Sequence, residues 1–290
     1  MNIHKTNGDR ITDVIIYVFL MSITIVTLYP FIYVLFASVS NMNDVSLNGS
    51  LLLWPKEFVI NAYVGVLKNP NIAYGYRNTI FYTALGTAIN VILTIMAAYV
   101  LSRKWLYGRN ILMLIITVTM FFGGGLIPTY LLVKNLNLIN TIWAMVLPTA
   151  VSTYNIIITR TFFMGIPDSL EESAKIDGAN DIIVMCLIMV PLSMPIIAVN
   201  ILIYSVGHWN TWFNALIYIK DRSMYPLQMF LREILIQSQV NDMNGGSAIY
   251  SAAENIKYAT VIVTILPIIF VYPFVQKYFV QGIMIGSLKG

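Results

Sequence analysis

Ile166-Pro-Asp-Ser-Leu-Glu-Glu-Ser-Ala-Lys-Ile-Asp-Gly-Ala-Asn-Asp181 is a polar island between two long apolar runs, 141–160 and 182–206. Ser169 followed three residues later by Glu172 is the spacing of a capping box, in which two side chains satisfy the free amides of a helix start. Asp168 and Glu171 add negative charge where the helix dipole is positive. Two turns on, Gly178 suits the left-handed residue that ends many helices. Asn180-Asp181 offers a second start, leading into the next apolar run. The island is therefore predicted to be a short, capped helix outside the apolar phase. So short a helix is marginal alone and needs a surface to pack on. Leu170 and Ile176 supply apolar anchors, Ser173 and Ala174 permit close approach, and Glu171, Glu172 and Asp177 form a polar rim. A simple surface turn joining two runs is the plainer alternative.

The flanking runs decide the fold class. Apolar residues make up 58% of the 290 and charged residues 10%, against about 25% charged in soluble domains. That much apolar surface implies a bilayer. A helix needs roughly 20 apolar residues to cross about 30 Å of hydrocarbon, and six stretches qualify, near 14–38, 79–101, 111–133, 141–160, 182–206 and 258–277. Their cores hold no Asp, Glu, Lys or Arg, as spanning helices prefer. The first run is too long for the apolar segment of a signal peptide and reads as a retained helix. The expected fold is all-α: one polytopic membrane domain, 1–290, with six transmembrane helices and the short outer helix.

Lys and Arg set the orientation. Lys5 and Arg10 precede the first run, Arg103, Lys104 and Arg109 crowd the link between the second and third, and Lys277 and Lys289 follow the last. By the positive-inside rule both termini and the 166–181 island face the cytoplasm, while 39–78 and 207–257 face out. The net charge of +4 includes no basic run interleaved with aromatics, so nucleic-acid binding is not indicated. The single cysteine, Cys186, rules out an intrachain disulfide and reads as a buried core residue.

Prolines 30, 128, 148, 191, 195, 267 and 273 punctuate the runs. They fit static helix shaping and moving kinks equally, since neighbouring helices can satisfy the carbonyls that proline frees. Gly123-Gly-Gly125 lacks the lysine of a phosphate loop and reads as close helix packing.

Glu172-Ser-Ala-Lys-Ile-Asp-Gly178, nine residues, then Ile188-Met-Val-Pro191 resembles the EAA signature of ABC importer permeases: Glu-Ala-Ala, three residues, Gly, nine residues, Ile-x-Leu-Pro. Ser173 and Val190 are its two mild departures. Asn61-Ala-Tyr63, Gly125-Leu-Ile-Pro-Thr-Tyr130, Gly207-His-Trp-Asn-Thr-Trp-Phe213 and the tail from Phe279 are similar to maltose-type carbohydrate permeases. Gly207–Phe213 with Tyr225–Ile234 looks like the branch linked to oligosaccharides cut from complex polysaccharides. The resemblance implies the type I importer fold in a bacterial plasma membrane. It makes 166–181 the coupling helix, with Leu170, Glu171, Glu172, Ser173, Ala174, Ile176, Asp177 and Gly178 as the ATPase-facing set. It also implies a second permease subunit, an ATPase dimer holding ATP and Mg, an extracytoplasmic binding protein and an oligosaccharide cargo. No cofactor is expected on this chain.

Beyond the fifth run, Trp209, Asn210, Trp212 and Asn214 pair aromatic faces, which stack on sugars, with amides that bond hydroxyls. They read as a sugar path or as an ordinary interfacial belt. His208 reads as a structural hydrogen-bonder. The loop around Asn244, Gly245 and Gly246 reads as a plain connector or, by the resemblance, as a segment that enters the binding protein. Rival functions fare less well. An ion-coupled secondary transporter of small polar solutes would usually carry ionisable groups inside the membrane. An intramembrane enzyme would need a nucleophile with a base, or a metal cluster, and two histidines and one cysteine do not assemble one.

Overall fold

The computed structural model describes residues 7–41, 45, 52–243, 255–271 and 273, and these form helices and connecting turns without a strand. In order they are α1 (Asn7–Val39), α2 (Asn61–Lys68), α3 (Pro70–Ser102), α4 (Arg109–Phe121), α5 (Leu126–Asn135), α6 (Ile142–Thr149), α7 (Thr153–Met164), α8 (Asp168–Ile176), α9 (Asp181–Leu192), α10 (Met194–Trp209), α11 (Phe213–Tyr218), α12 (Leu227–Met243) and α13 (Asn255–Val271). They gather into two units: residues 1–69 with 233–265, and residues 70–232 with 266–290.

In the first unit α1 is a 33-residue helix whose most apolar stretch buries none of its residues. Its Ser and Thr hydroxyls bond carbonyls of the same helix, Ser22 to the Val18 carbonyl at 2.8 Å and Thr27 to the Ile23 carbonyl at 2.8 Å. Hydrocarbon demands this, because it offers polar groups no partner. Ala37, Val45 and Leu52 form one core cluster of this unit, with Tyr33, Phe36 and Tyr258 against them. Ser38 and Tyr63 share a hydroxyl hydrogen bond of 2.7 Å.

The second unit is built on α3, also 33 residues long. Asn78, Tyr82, Gly86, Asn90, Thr94, Ala98 and Ser102 recur every fourth position, and all are buried. Each fourth-residue step turns about 40° around the helix, so the stripe winds and meets different neighbours along its length. Asn78 donates to the Ser223 and Tyr225 carbonyls at 2.7 and 3.0 Å. Asn90 donates to the Thr149 carbonyl at 2.6 Å, Thr94 pairs with the Tyr204 hydroxyl at 2.7 Å, and Ala98 joins a core with Phe163, Val184 and Met189.

Among the described residues, two helices are long and apolar enough by themselves to cross a membrane, Arg10–Val39 and α3. The expected third, fourth and fifth runs are bent pairs: α4 and α5 meet at 110°, α6 and α7 at 54°, α9 and α10 at 85°. The expected last run corresponds to the shorter apolar α13 and extends beyond the described residues. Pro148 lies at the second bend, and Pro191 and Pro195 flank Ser193 at the third.

Three sequence expectations need correction. The stretch 111–133 is not one helix, and Gly123-Gly-Gly125 is its break rather than a packing face. A Cβ at Gly123 would meet nothing within 4 Å, and Gly125 takes φ +83°, a conformation that side chains resist. Cys186 is exposed on α9 rather than buried, its run having one face turned away from the core. The capping box does not form. The chain enters α8 at Pro167 in extended geometry with no side-chain cap, which leaves Ser169 inside the first turn, where its carbonyl accepts from the Ser173 hydroxyl at 2.8 Å.

Candidate functional site

The end of α8 follows the sequence closely. Gly178 takes φ +87°, its amide donates to the Lys175 carbonyl at 3.1 Å, and the Ala179 amide donates to the Ala174 carbonyl at 2.9 Å. These two bonds are a Schellman stop. Asn180 then caps α9 by accepting from the Ile183 amide at 2.9 Å.

The helix has two faces of different character. The outer one carries Leu170, Glu172, Ser173, Ile176 and Asp177, all exposed. Leu170 is 42% exposed and Ile176 86%, a large aliphatic surface for so polar a segment. The inner one carries Glu171 and Ala174. Ala174 packs with Ile166 and Ala179 against Tyr99, Phe163 and Val184, and Glu171 is buried. The predicted coupling set is thus divided, because a helix places residues three and four apart on one side.

Charge fastens the inner face. Arg103, one residue beyond α3, pairs with Glu171. Its Nε donates to the Ser102 hydroxyl at 3.0 Å, and its guanidinium lies 5.0 Å from the Tyr99 ring centre. Lys175 bonds Glu171 at 2.8 Å and Asp181 at 3.2 Å. Lys104 reaches Asp168 at 2.5 Å on the exposed rim. Arg160 donates to the Leu101 carbonyl at 2.9 Å, satisfying an open carbonyl at the end of α3. Burial acts to raise the Glu171 carboxyl, but hydrogen bonds and charge from Lys175 and Arg103 outweigh it and hold the group below the ordinary carboxylate range. The Lys104 hydrogen bond does the same for Asp168, and Glu171 raises Lys175.

At the far end of this unit α10 breaks at 210–212 before α11. Trp209 is buried, its ring edge-on to Tyr76 at 6.3 Å. Asn210 is exposed and accepts from the Gln228 amide at 3.1 Å. Trp212 sits edge-on to Phe213 at 5.5 Å, with the Arg232 guanidinium 4.6 Å from its ring centre. Asn214 is half-buried. The structure therefore brings Asn210 and Trp212 to an exposed surface and withdraws Trp209. The residues 244–246 lie outside the described residues.

His208 is the structural group expected. Its Nε2 lies 3.1 Å from Asn90 Oδ1, and Gly86 makes room for it, since a Cβ there would stand 2.4 Å from the ring. A crevice of about 630 Å³ opens beside this seam, walled by Ile80, Thr83, Val91, Ile201 and Trp209. Its walls are mostly hydrocarbon, and Thr87 and Ser205 on its lining bond each other at 3.2 Å, so it offers little to a sugar. Sequence reasoning missed Arg103 as a partner of the island and missed the α3 stripe. The signal for the stripe was present, because Asn90 in a spanning run must find a partner.

Residues 90–285 match the family described as "Binding-protein-dependent transport system inner membrane component". The chain is 41% identical over 289 residues to Protein LplC of Bacillus subtilis (strain 168), spanning 99% of this chain and 98% of that one. It is 40% identical to the polygalacturonan/rhamnogalacturonan transport system permease protein YtcP of the same organism, across 97% of this chain and 99% of that one. Among solved structures it is similar to a chain of a bacterial ABC transporter involved in the import of the acidic polysaccharide alginate, with TM-score 0.86, 32% identity, and coverage of 96% of this chain and 100% of that one. The bent helical unit, the EAA-spaced α8 and these likenesses agree, and the chain belongs to the inner-membrane components of binding-protein-dependent transport systems, the permease subunits of ABC importers.

Proposed function

We propose that this chain is one of two permease subunits of an ATP-driven importer of oligosaccharides derived from acidic polysaccharides. The observation that carries the coupling role is the outer face of α8, where Leu170 and Ile176 stay exposed on a helix whose other side is fastened. An ATPase subunit seats on that face, and ATP and Mg stay with the ATPase dimer. Both chain termini and the basic 103–109 link lie on the cytoplasmic side, as their Lys and Arg content favours, and α8, tied to that link through Arg103 and Lys104, lies there with them. ATP-driven closure of the ATPase pair moves α8, the bent helices reorient, and the sugar passes from its binding protein inward. Asn210, Trp212 and Asn214 border the sugar's path on the outer side, where exposed aromatic faces and amides suit sugar rings and hydroxyls. The binding protein engages Asn244, Gly245 and Gly246. The acidic character of the cargo is supported by the substrates named for the polygalacturonan/rhamnogalacturonan and alginate relatives.

The test is uptake of a radiolabelled galacturonate trimer by proteoliposomes holding both permeases and the ATPase, with binding protein outside. The expected outcome is ATP-dependent uptake that survives dissipation of the proton gradient, and loss of ATPase from the purified complex in Ile176→Asp. Uptake that follows the proton gradient and ignores ATP would overturn the reading.

A further inference from the structure

We propose that Arg103 is the positioning residue that passes movement of α8 to α3, so that seating the ATPase and transmitting its stroke fall to opposite faces of one short helix. This rests on the reading of α8 as the ATPase-docking element and assigns a duty that the docking face cannot perform.

Arg103 stands where a force must cross. It lies just past the end of α3, the helix whose stripe contacts residues 223–225, α10 and the α7–α9 core in turn. It is 6% exposed and confined by the Tyr99 ring, the Ser102 hydroxyl and the Glu171 carboxylate. Arg103 takes one oxygen of Glu171, and Lys175 takes the other and reaches Asp181 at the start of α9. One charged cluster thereby joins the end of α3, α8 and the start of α9. The apolar contacts of Ala174 and Ala179 beside it give adhesion without direction and permit sliding. A guanidinium held by a carboxylate fixes register, since it presents a rigid planar fork of donors. The second tie, Lys104 to Asp168, has side chains 77% and 52% exposed, and exposed pairs of this kind hold weakly.

The experiment measures ATP hydrolysed per sugar imported, and ATPase retained, in the complete transporter reconstituted in liposomes, with the galacturonate trimer as cargo. Arg103→Ala is expected to keep the ATPase bound while raising ATP consumed per sugar at least about fivefold, within the usual span of coupling between sites. The exchange pair Arg103→Glu with Glu171→Arg is expected to recover much of the ratio, where each single change does not. Should Arg103→Ala fail to assemble, the exchange pair alone decides, since recovered coupling supports the joint and unrecovered coupling in an assembled complex rejects it. An unchanged ratio in Arg103→Ala overturns the proposal. So does release of the ATPase in Arg103→Ala, which would make Arg103 a support for the docking face only. Ile176→Asp separates the two readings: if it retains both ATPase and coupling, the docking role of α8 fails, whatever Arg103 does.

Discussion

The two ends of α3 are held by different chemistry. Past its last turn, Arg103 pairs with Glu171 and Lys104 with Asp168, and Lys175 links Glu171 on to Asp181. Along its middle and first half, Asn78, Tyr82, Asn90 and Thr94 use only uncharged hydrogen bonds, to carbonyls, a hydroxyl and His208. Solvent explains the difference. Charged groups inside hydrocarbon are expensive, whereas amides and hydroxyls cross it once each has a partner. The neutral seam therefore sets which helices pack on α3, and the charged end sets where α8 sits. Changes in the seam should cost the fold; changes at the charged end should cost coupling.

The largest expected effect lies in the seam at Gly86. A Cβ there would stand 2.4, 2.5 and 2.8 Å from three atoms of the His208 ring, and that ring is pinned by Asn90. Overpacking costs about 1–3 kcal/mol, and displacing His208 leaves Asn90 Oδ1 unpaired for roughly 1–3 kcal/mol more. Gly86→Ala should lower the melting temperature of the purified permease clearly, and adding His208→Ala should recover part of the loss. Wild-type melting in Gly86→Ala would mean that α3 and α10 do not meet this way. Asn90→Leu comes next. It removes the bonds to His208 and the Thr149 carbonyl, at about 1–3 kcal/mol, with reduced yield of folded protein as the readout.

A smaller effect, confined to the other end, is expected from Gly178→Ala. The φ of +87° costs a residue with a Cβ about 1–2 kcal/mol. The loss should appear as faster amide exchange around 174–179 and weaker coupling, with global melting nearly unchanged. A fall in melting as large as that of Gly86→Ala would erase the distinction between the ends.

How much of this was legible depends on whether a feature is local. Gly178 and Asn180 could be read directly, because a left-handed stop and an Asx cap involve residues at most a few positions apart. The Ser169–Glu172 box was also local but misled, since Pro167 starts the helix early and nothing in the spacing weighs the two starts. The break at Gly123–Gly125 was masked by hydropathy, which averages over a bend. The α3 stripe at every fourth residue is readable, yet its partners are not, lying 59 or more residues away at Thr149, Tyr204, His208 and Ser223. Arg103 was visible only as a basic residue setting orientation. That it turns back to neutralise Glu171 follows from how α7 and α9 place α8, which no window of sequence contains.

Acid and salt give the mildest tests, and they separate the ends without mutation. Glu171 is held below the ordinary glutamate value of 4.5, and Asp168 is lowered likewise. A carboxylate with a depressed folded pKa contributes stability that is complete above its unfolded value and is lost as pH falls through the lowered one. Acidification below about 4.5 should therefore raise amide exchange in 168–180 first, while 82–94, tied by amides and hydroxyls, holds. Salt should reach only the exposed rim. Screening acts over about 10 Å at 0.1 M, so the Lys104–Asp168 pair weakens while the buried Arg103–Glu171 pair does not. Lys104→Ala should then change the ATP-to-sugar ratio little, and less still at high salt, where the wild-type pair is already screened. If Lys104→Ala uncoupled as strongly as Arg103→Ala, burial would not be what distinguishes the two ties, and the charged end would act as one diffuse cluster.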